Sequence, residues 1–85
     1  MIYSIAVKRS ARKSLLALPR DAQQRIRTAI DALATNPRPQ GSRKLTGSES
    51  MYRRRVGDYR IVYEIRDDQL VIMVIKLGHR RDVYR

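Results

Sequence analysis

The sequence predicts an α+β fold: a small, antiparallel-rich sheet with an N-terminal helical hairpin packed on one face, in the order β-α-α-β-β-β. Three observations predict it. Apolar residues recur at helical spacing between Lys8 and Thr35. From Met51 onward the period falls to two, on either side of a Gly57-Asp58 turn signal. The chain then runs into a nearly continuous apolar stretch, Gln69–Leu77.

The first element is Ile2–Val7, a short apolar run that reads as a strand. Ser4 and Ala6 alternate only weakly with their neighbours, so burial on both sides is expected. Over Lys8–Leu18 the residues Ala11, Leu15 and Leu18 share one helical face, with Arg12 and Lys13 turned outward. Pro19 interrupts this helix and fits the start of the next. Asp21 near that start complements the helix dipole. The second helix is expected from Arg20 to Thr35, with Ala22, Ile26, Ala29, Ile30 and Leu33 as its apolar stripe and Asn36-Pro37 as its stop.

Asn36–Ser42 is a loop by composition, and Arg43–Leu45 a possible short strand closed by Thr46-Gly47. Next comes a β-hairpin, Met51–Ile65. Two loop residues beginning with Gly suit a type II′ turn, because Gly accepts the positive φ of its first central position. That turn sets Val56 opposite Tyr59, Arg55 opposite Arg60, Arg54 opposite Ile61, Arg53 opposite Val62 and Tyr52 opposite Tyr63. Side chains alternate between faces. Tyr52, Val56, Tyr59, Ile61, Tyr63 and Ile65 therefore share a core face. Arg54 falls among them and fits only if its stem lies along the edge with its head in water. Met51, Arg53, Arg55, Arg60, Val62 and Glu64 share the other face. Asp67-Asp68 is the expected two-residue turn into the last strand, Gln69–Leu77. Leu70, Ile72 and Val74 then join the core, and Val71, Met73 and Ile75 join the arginine face.

Composition narrows the function. The chain has 85 residues, enough for one small domain, 1–85. Without Cys there is no disulfide or thiolate metal site, and with a single His no ordinary zinc site, so no metal or cofactor is expected. No apolar run approaches the ~18 residues of a membrane span. The opening MIYSIAVKRS lacks the pattern of a secretory signal, so a cytoplasmic protein with no membrane partner is expected. The net charge is +11, and arginine greatly outnumbers lysine. Such an excess points to a polyanionic partner, and the planar guanidinium fork suits phosphate. The arginines fall in strand-like and loop-like segments rather than along one helix face, which favours nucleic acid over a lipid surface.

Arg55 opposite Arg60 is the informative pair, since like charges directly across a strand pair destabilise it. It reads either as a pocket for a polyanion or as a solvated basic face of a very basic protein. Val62, Val71, Met73 and Ile75 lie open beside the arginines in this register, and an exposed apolar strip marks a protein partner. There is no Gly-rich phosphate loop, no nucleophile elbow and no acidic cluster of the two-metal kind. Metal-free RNA cleavage fits what is left. In it the ribose 2′-OH attacks its own adjacent phosphate, leaving a 2′,3′-cyclic phosphate and a 5′-OH end. Clustered arginines would stabilise the charge that builds on phosphorus. Tyr84 could stack on a base or bond the 2′-OH, and His79 or Tyr84 could move protons.

Several stretches carry a family resemblance: Lys44-Leu45-Thr46-Gly47, the run from Tyr52 through Gly57-Asp58-Tyr59-Arg60 to Glu64, and the ending Gly78-His79-Arg80-Arg81-Asp82-Val83-Tyr84. With the element order, they resemble the RelE toxins of the RelE/ParE toxin–antitoxin superfamily, over essentially the whole chain. The resemblance implies an endoribonuclease that cuts mRNA in the ribosomal A site, and a RelB-like antitoxin that wraps and neutralises it. It implies catalytic roles for Arg53, Arg55, Arg60, Arg80 and Tyr84. RNA contacts are expected at Lys44, Arg54, His79, Arg81 and Arg85, and antitoxin contacts at Val62, Val71, Met73 and Ile75. The best-known members carry lysines where this chain has Arg53 and Arg55. Arginine does not give up its proton, so a lysine-type general base does not transfer to Arg55. Two alternatives stand beside this reading: a ParE-like, non-enzymatic toxin that inhibits DNA gyrase, and a plain RNA-binding module.

Overall fold

In the computed structural model, which describes residues 2–79, two helices precede most of a five-stranded sheet. The elements are β1 (Ser4–Val7), α1 (Arg9–Leu16), α2 (Arg20–Leu33), β2 (Arg43–Lys44), β3 (Met51–Val56), β4 (Tyr59–Arg66) and β5 (Val71–His79). The sheet order is β1-β5-β4-β3-β2. The β1–β5 pair is parallel and the other three are antiparallel. β1 is thus an edge strand and only half-buried, against the expectation of burial on both sides.

Both helices lay their apolar stripes on the same sheet face. Ala11 and Leu15 of α1 and Ile26, Ala29, Ile30 and Leu33 of α2 pack against Ile61, Tyr63, Ile65, Ile72, Val74 and Leu77. Leu18 follows α1 and packs at the margin of this core. The α2 stripe is the predicted one, but α1 ends before Leu18 and α2 before Thr35. Gln23 joins the two helices: its Nε2 donates to the carbonyls of Leu16 and Leu18 at 3.2 and 2.8 Å, satisfying acceptors that the end of α1 leaves open. Among the described residues, no helix is long and apolar enough to cross a membrane.

The β3–β4 hairpin has the predicted register at every pair from Val56–Tyr59 to Tyr52–Tyr63. Gly57 has φ +59° while Asp58 keeps a negative φ, the pattern of a type II′ turn. The β4–β5 connection differs from expectation. Asp67, Asp68, Gln69 and Leu70 form a four-residue turn, with Arg66 opposite Val71 and Leu70 at φ +54°. Leu70 therefore leaves the strand. Because the loop grew by two residues, the faces of Ile72 and Val74 did not change.

A second departure matters more. The register shifts between Val62 and Tyr63: Tyr63 lies opposite Val74, but Val62 lies opposite Lys76. Ile75 is the extra residue of a β-bulge. Unbulged pairing would set Lys76 across from Ile61 in the core and Leu77 across from Arg60. The bulge reverses both: Leu77 joins Ile61, and Gly78 lies opposite Arg60.

The end of the sheet away from Gly57 is fastened by a polar network. Arg38 donates from Nη2 to Asp67 at 2.8 Å and from Nε to the Tyr52 hydroxyl at 3.2 Å, with its guanidinium 5.3 Å from the Tyr52 ring centroid. The Tyr3 hydroxyl donates to the other Asp67 oxygen at 2.5 Å. Tyr52 stacks on Tyr63, whose hydroxyl donates to the Pro37 carbonyl at 2.9 Å. The hydrogen bonds from Arg38 and Tyr3 hold the Asp67 carboxyl below its ordinary value. The stabilisation is therefore present above the ordinary carboxylate range and is lost as pH falls through the depressed value. Burial pushes the Tyr63 phenol up, so its contribution is present below about pH 10 and fades as pH rises above that. Tyr63→Phe is expected to cost about 0.5–1.5 kcal/mol at neutral pH through the lost hydrogen bond. It should also flatten the alkaline fall in stability, both read from urea melts across pH.

Candidate functional site

Alternation along β3 delivers Arg53 and Arg55 to the sheet face away from the helices. The hairpin register sets Arg60 opposite Arg55, and the β2–β3 pairing sets Arg43 opposite Arg53. These four arginines line one open cavity of about 480 Å³, with Gly41 and Gly57 at its margins. Arg55 and Arg43 are exposed and Arg53 and Arg60 half-buried. The Arg55 Nε donates to the Gly57 carbonyl at 3.1 Å, which steadies the side chain while its terminal nitrogens remain for a ligand. Like charges at directly opposed strand positions, Arg55 with Arg60 and Arg43 with Arg53, disfavour one another, and an anion seated between them offsets that. Chemically, the cavity can bind and orient a phosphate and stabilise negative charge growing on it.

The structure gathers Arg53, Arg55 and Arg60 in this cavity, but it separates the other predicted contacts. Arg54 projects to the helix side, where its Nη1 donates to the Ala29 carbonyl of α2 at 3.0 Å. Its head is held by a helix backbone, away from the arginine face. Lys44 is opposite Tyr52 and so shares that residue's face, across the sheet from the cavity. His79, opposite Tyr59, lies edge-on to its ring at a centroid distance of 5.9 Å, also on the helix side. Arg80, Arg81, Tyr84 and Arg85 lie outside the described residues.

The expected apolar strip is also rearranged. Val62 is only 8% exposed. The bulge carries Ile75 to a crevice beside Lys8, Ser10, Ala11 and Ser14, at the edge of α1. Val71 and Met73 remain half-buried on the open face, paired with Ser4 and Ala6 of β1. The sequence reading missed Arg43. The only available signal was that a strand starting at Arg43 would put its first residue across from β3.

The chain thus places two helices on one face of a five-stranded sheet and a cationic cavity on the other. Residues 5–84 match the family described as ParE toxin of type II toxin–antitoxin system, parDE. Toxin RelG of Mycobacterium tuberculosis is 32% identical, over 100% of this chain and 99% of its own length. A putative toxin RelE1 of Methanocaldococcus jannaschii is 28% identical over 100% and 98%. Among solved structures, the archaeal RelE–RelB complex from Pyrococcus horikoshii matches with a TM-score of 0.84 and 32% identity, covering 94% of this chain and 97% of that one. The E. coli toxin RelE in the free state, as a double arginine-to-alanine mutant, matches with a TM-score of 0.84 and 25% identity over 99% and 92%. The chain belongs to the ParE/RelE toxin family and is a RelE-like toxin of the type II toxin–antitoxin class.

The opposite placements of Arg54 and Arg55 predict opposite effects on stability. Arg54→Met should lower the thermal midpoint, because it removes the bond to Ala29. Arg55→Thr should raise stability by about 0.2–1 kcal/mol, because it relieves repulsion with Arg60 and suits a strand. Paired thermal melts at low salt check both.

Proposed function

We propose that this toxin is a metal-free endoribonuclease that cleaves mRNA in the ribosomal A site, with the arginine cavity as the seat of the scissile phosphodiester. The observation that carries this reading is the convergence of Arg53, Arg55 and Arg60 on one cavity of the exposed sheet face. In the proposed reaction, the 2′-OH attacks the adjacent phosphorus, the bond to the 5′-oxygen of the next nucleotide breaks, and the products are a 2′,3′-cyclic phosphate and a 5′-OH. Arg53, Arg55 and Arg60 orient the phosphate and stabilise the charge on its non-bridging oxygens. Arg80 is assigned to the charge developing on the leaving oxygen. Tyr84 is assigned to base stacking or to proton movement near the 2′-OH. A guanidinium group does not serve as a general base, so the proton falls to a group outside these arginines. The His79 ring packs against Tyr59 on the helix side, which argues against His79 as the group that moves the proton.

The proposed partners are the ribosome with its mRNA and a RelB-like antitoxin. The antitoxin is supported by the RelE–RelB complexes among the structural relatives. Val71 and Met73 are its proposed apolar seat, on the open face towards the end of the sheet away from Gly57, with Ile75 as a separate contact at the α1 edge.

Adding the protein to translating ribosomes and mapping mRNA ends tests this reading, with a gyrase supercoiling assay in parallel. New 5′-OH ends within A-site codons are expected, with no loss of supercoiling. Gyrase inhibition without new ends would replace it with the ParE-like activity, and neither effect would leave an RNA-binding module. Arg60→Ala is expected to slow cleavage by about 10²–10³-fold, the effect of removing one preorganised charge-stabilising donor. A circular-dichroism spectrum like that of the parent checks that the fold survives.

A further inference from the structure

The cavity holds more positive charge than one phosphodiester can use. A phosphodiester has two non-bridging oxygens and is satisfied by one or two guanidinium forks. Four arginines line this cavity, arranged as two cross-strand pairs, Arg55 with Arg60 and Arg43 with Arg53. Its volume of about 480 Å³ far exceeds a single phosphate group.

The spacing of the pairs is informative. Arg53 and Arg55 are two residues apart on β3, which at the strand rise separates them by about 6–7 Å. The partners lie on opposite flanks, Arg60 on β4 and Arg43 on β2. The second pair is thus displaced along β3 and one strand outward, a gap that one sugar–phosphate repeat of a nucleic-acid strand can bridge. Arg43 has no evident structural duty. It is exposed on a two-residue edge strand whose pairing is made by backbone groups, and its neighbour Lys44 shares the opposite face.

We propose that the cavity seats two consecutive phosphates of one RNA strand: the scissile phosphate at Arg55 and Arg60, and a flanking phosphate at Arg43, with Arg53 shared between the two seats. Arg43 is then a substrate-binding residue that sets the register of the strand along β3. The proposal rests on the RNA-cleaving reading and adds a second subsite to it. Holding two successive phosphates fixes both the position and the direction of the strand, whereas a single seat leaves the strand free to pivot.

The test pairs a protein change with a single change in the RNA. Single-turnover cleavage is measured on ribosomes carrying either an ordinary message or one with a neutral methylphosphonate at the phosphate on one or other side of the cleaved bond. For the parent protein, neutralising one of these flanking phosphates should raise the half-saturating protein concentration about tenfold, the effect of one charge-assisted hydrogen bond. Arg43→Gln should cause a similar rise on the ordinary message, more in half-saturation than in the saturated rate, and no further rise on the methylphosphonate message. Arg43→Lys should restore part of the loss. Lys44→Gln, which removes the same charge on the opposite face, should leave the methylphosphonate penalty intact. A full penalty persisting in Arg43→Gln on both sides of the cleaved bond would overturn the second subsite while leaving the cleavage reading in place. No cleavage of the ordinary message by the parent protein would overturn both.

Discussion

The strict alternation of faces along β3 and β4 is the constraint on which the rest of this structure depends. Ile61, Tyr63 and Ile65 enter the core, so Arg60, Val62 and Glu64 must face away from the helices. Once the Gly57-Asp58 turn fixes the pairing, Arg55 must lie across from Arg60. A slip of one residue would drive arginines into the helices and isoleucines into water, a far larger penalty than the like-charge repulsion it would relieve. The core therefore holds the arginines together against their own repulsion.

Support for the cavity comes from the sheet's other end and other face. The Tyr3–Asp67–Arg38–Tyr52 network ties the residue before β1, the loop before β2, the start of β3 and the β4–β5 turn at the end away from Gly57. Arg54 anchors β3 to α2 from the helix side. The bulge at Ile75 places Gly78, which has no side chain, across from Arg60 and keeps Lys76 out of the core. Three consecutive arginines thus have two physical roles. Arg54 serves the fold, while Arg53 and Arg55 face the cavity.

The hairpin was legible in the sequence because its information is local. A Gly-led two-residue turn determines every pair that follows, and the α2 stripe repeats cleanly over a full element. The β4–β5 turn was less legible because Asp67-Asp68 is also a plausible two-residue turn. The longer loop shows only in Leu70, which adopts a positive φ with no glycine to announce it. The bulge did leave a trace: strict alternation from Ile72 and Val74 would bury Lys76, so a break near Ile75 could have been inferred. Lys44 and Arg43 depended on the register of a two-residue edge strand, and Arg54 on a partner 25 residues away. Neither dependence is visible in local patterning.

Nitrogen-15 NMR of the arginine side chains, with a non-cleavable RNA strand titrated into the protein, tests most directly whether this cavity is the phosphate seat. The guanidinium signals of Arg53, Arg55 and Arg60 should shift together along one saturable curve, while those of Arg9, Arg12 and Arg27 on the helices change little. Shifts confined to the helical arginines, or spread evenly over all of them without saturation, would contradict a single phosphate site on the open face of the sheet.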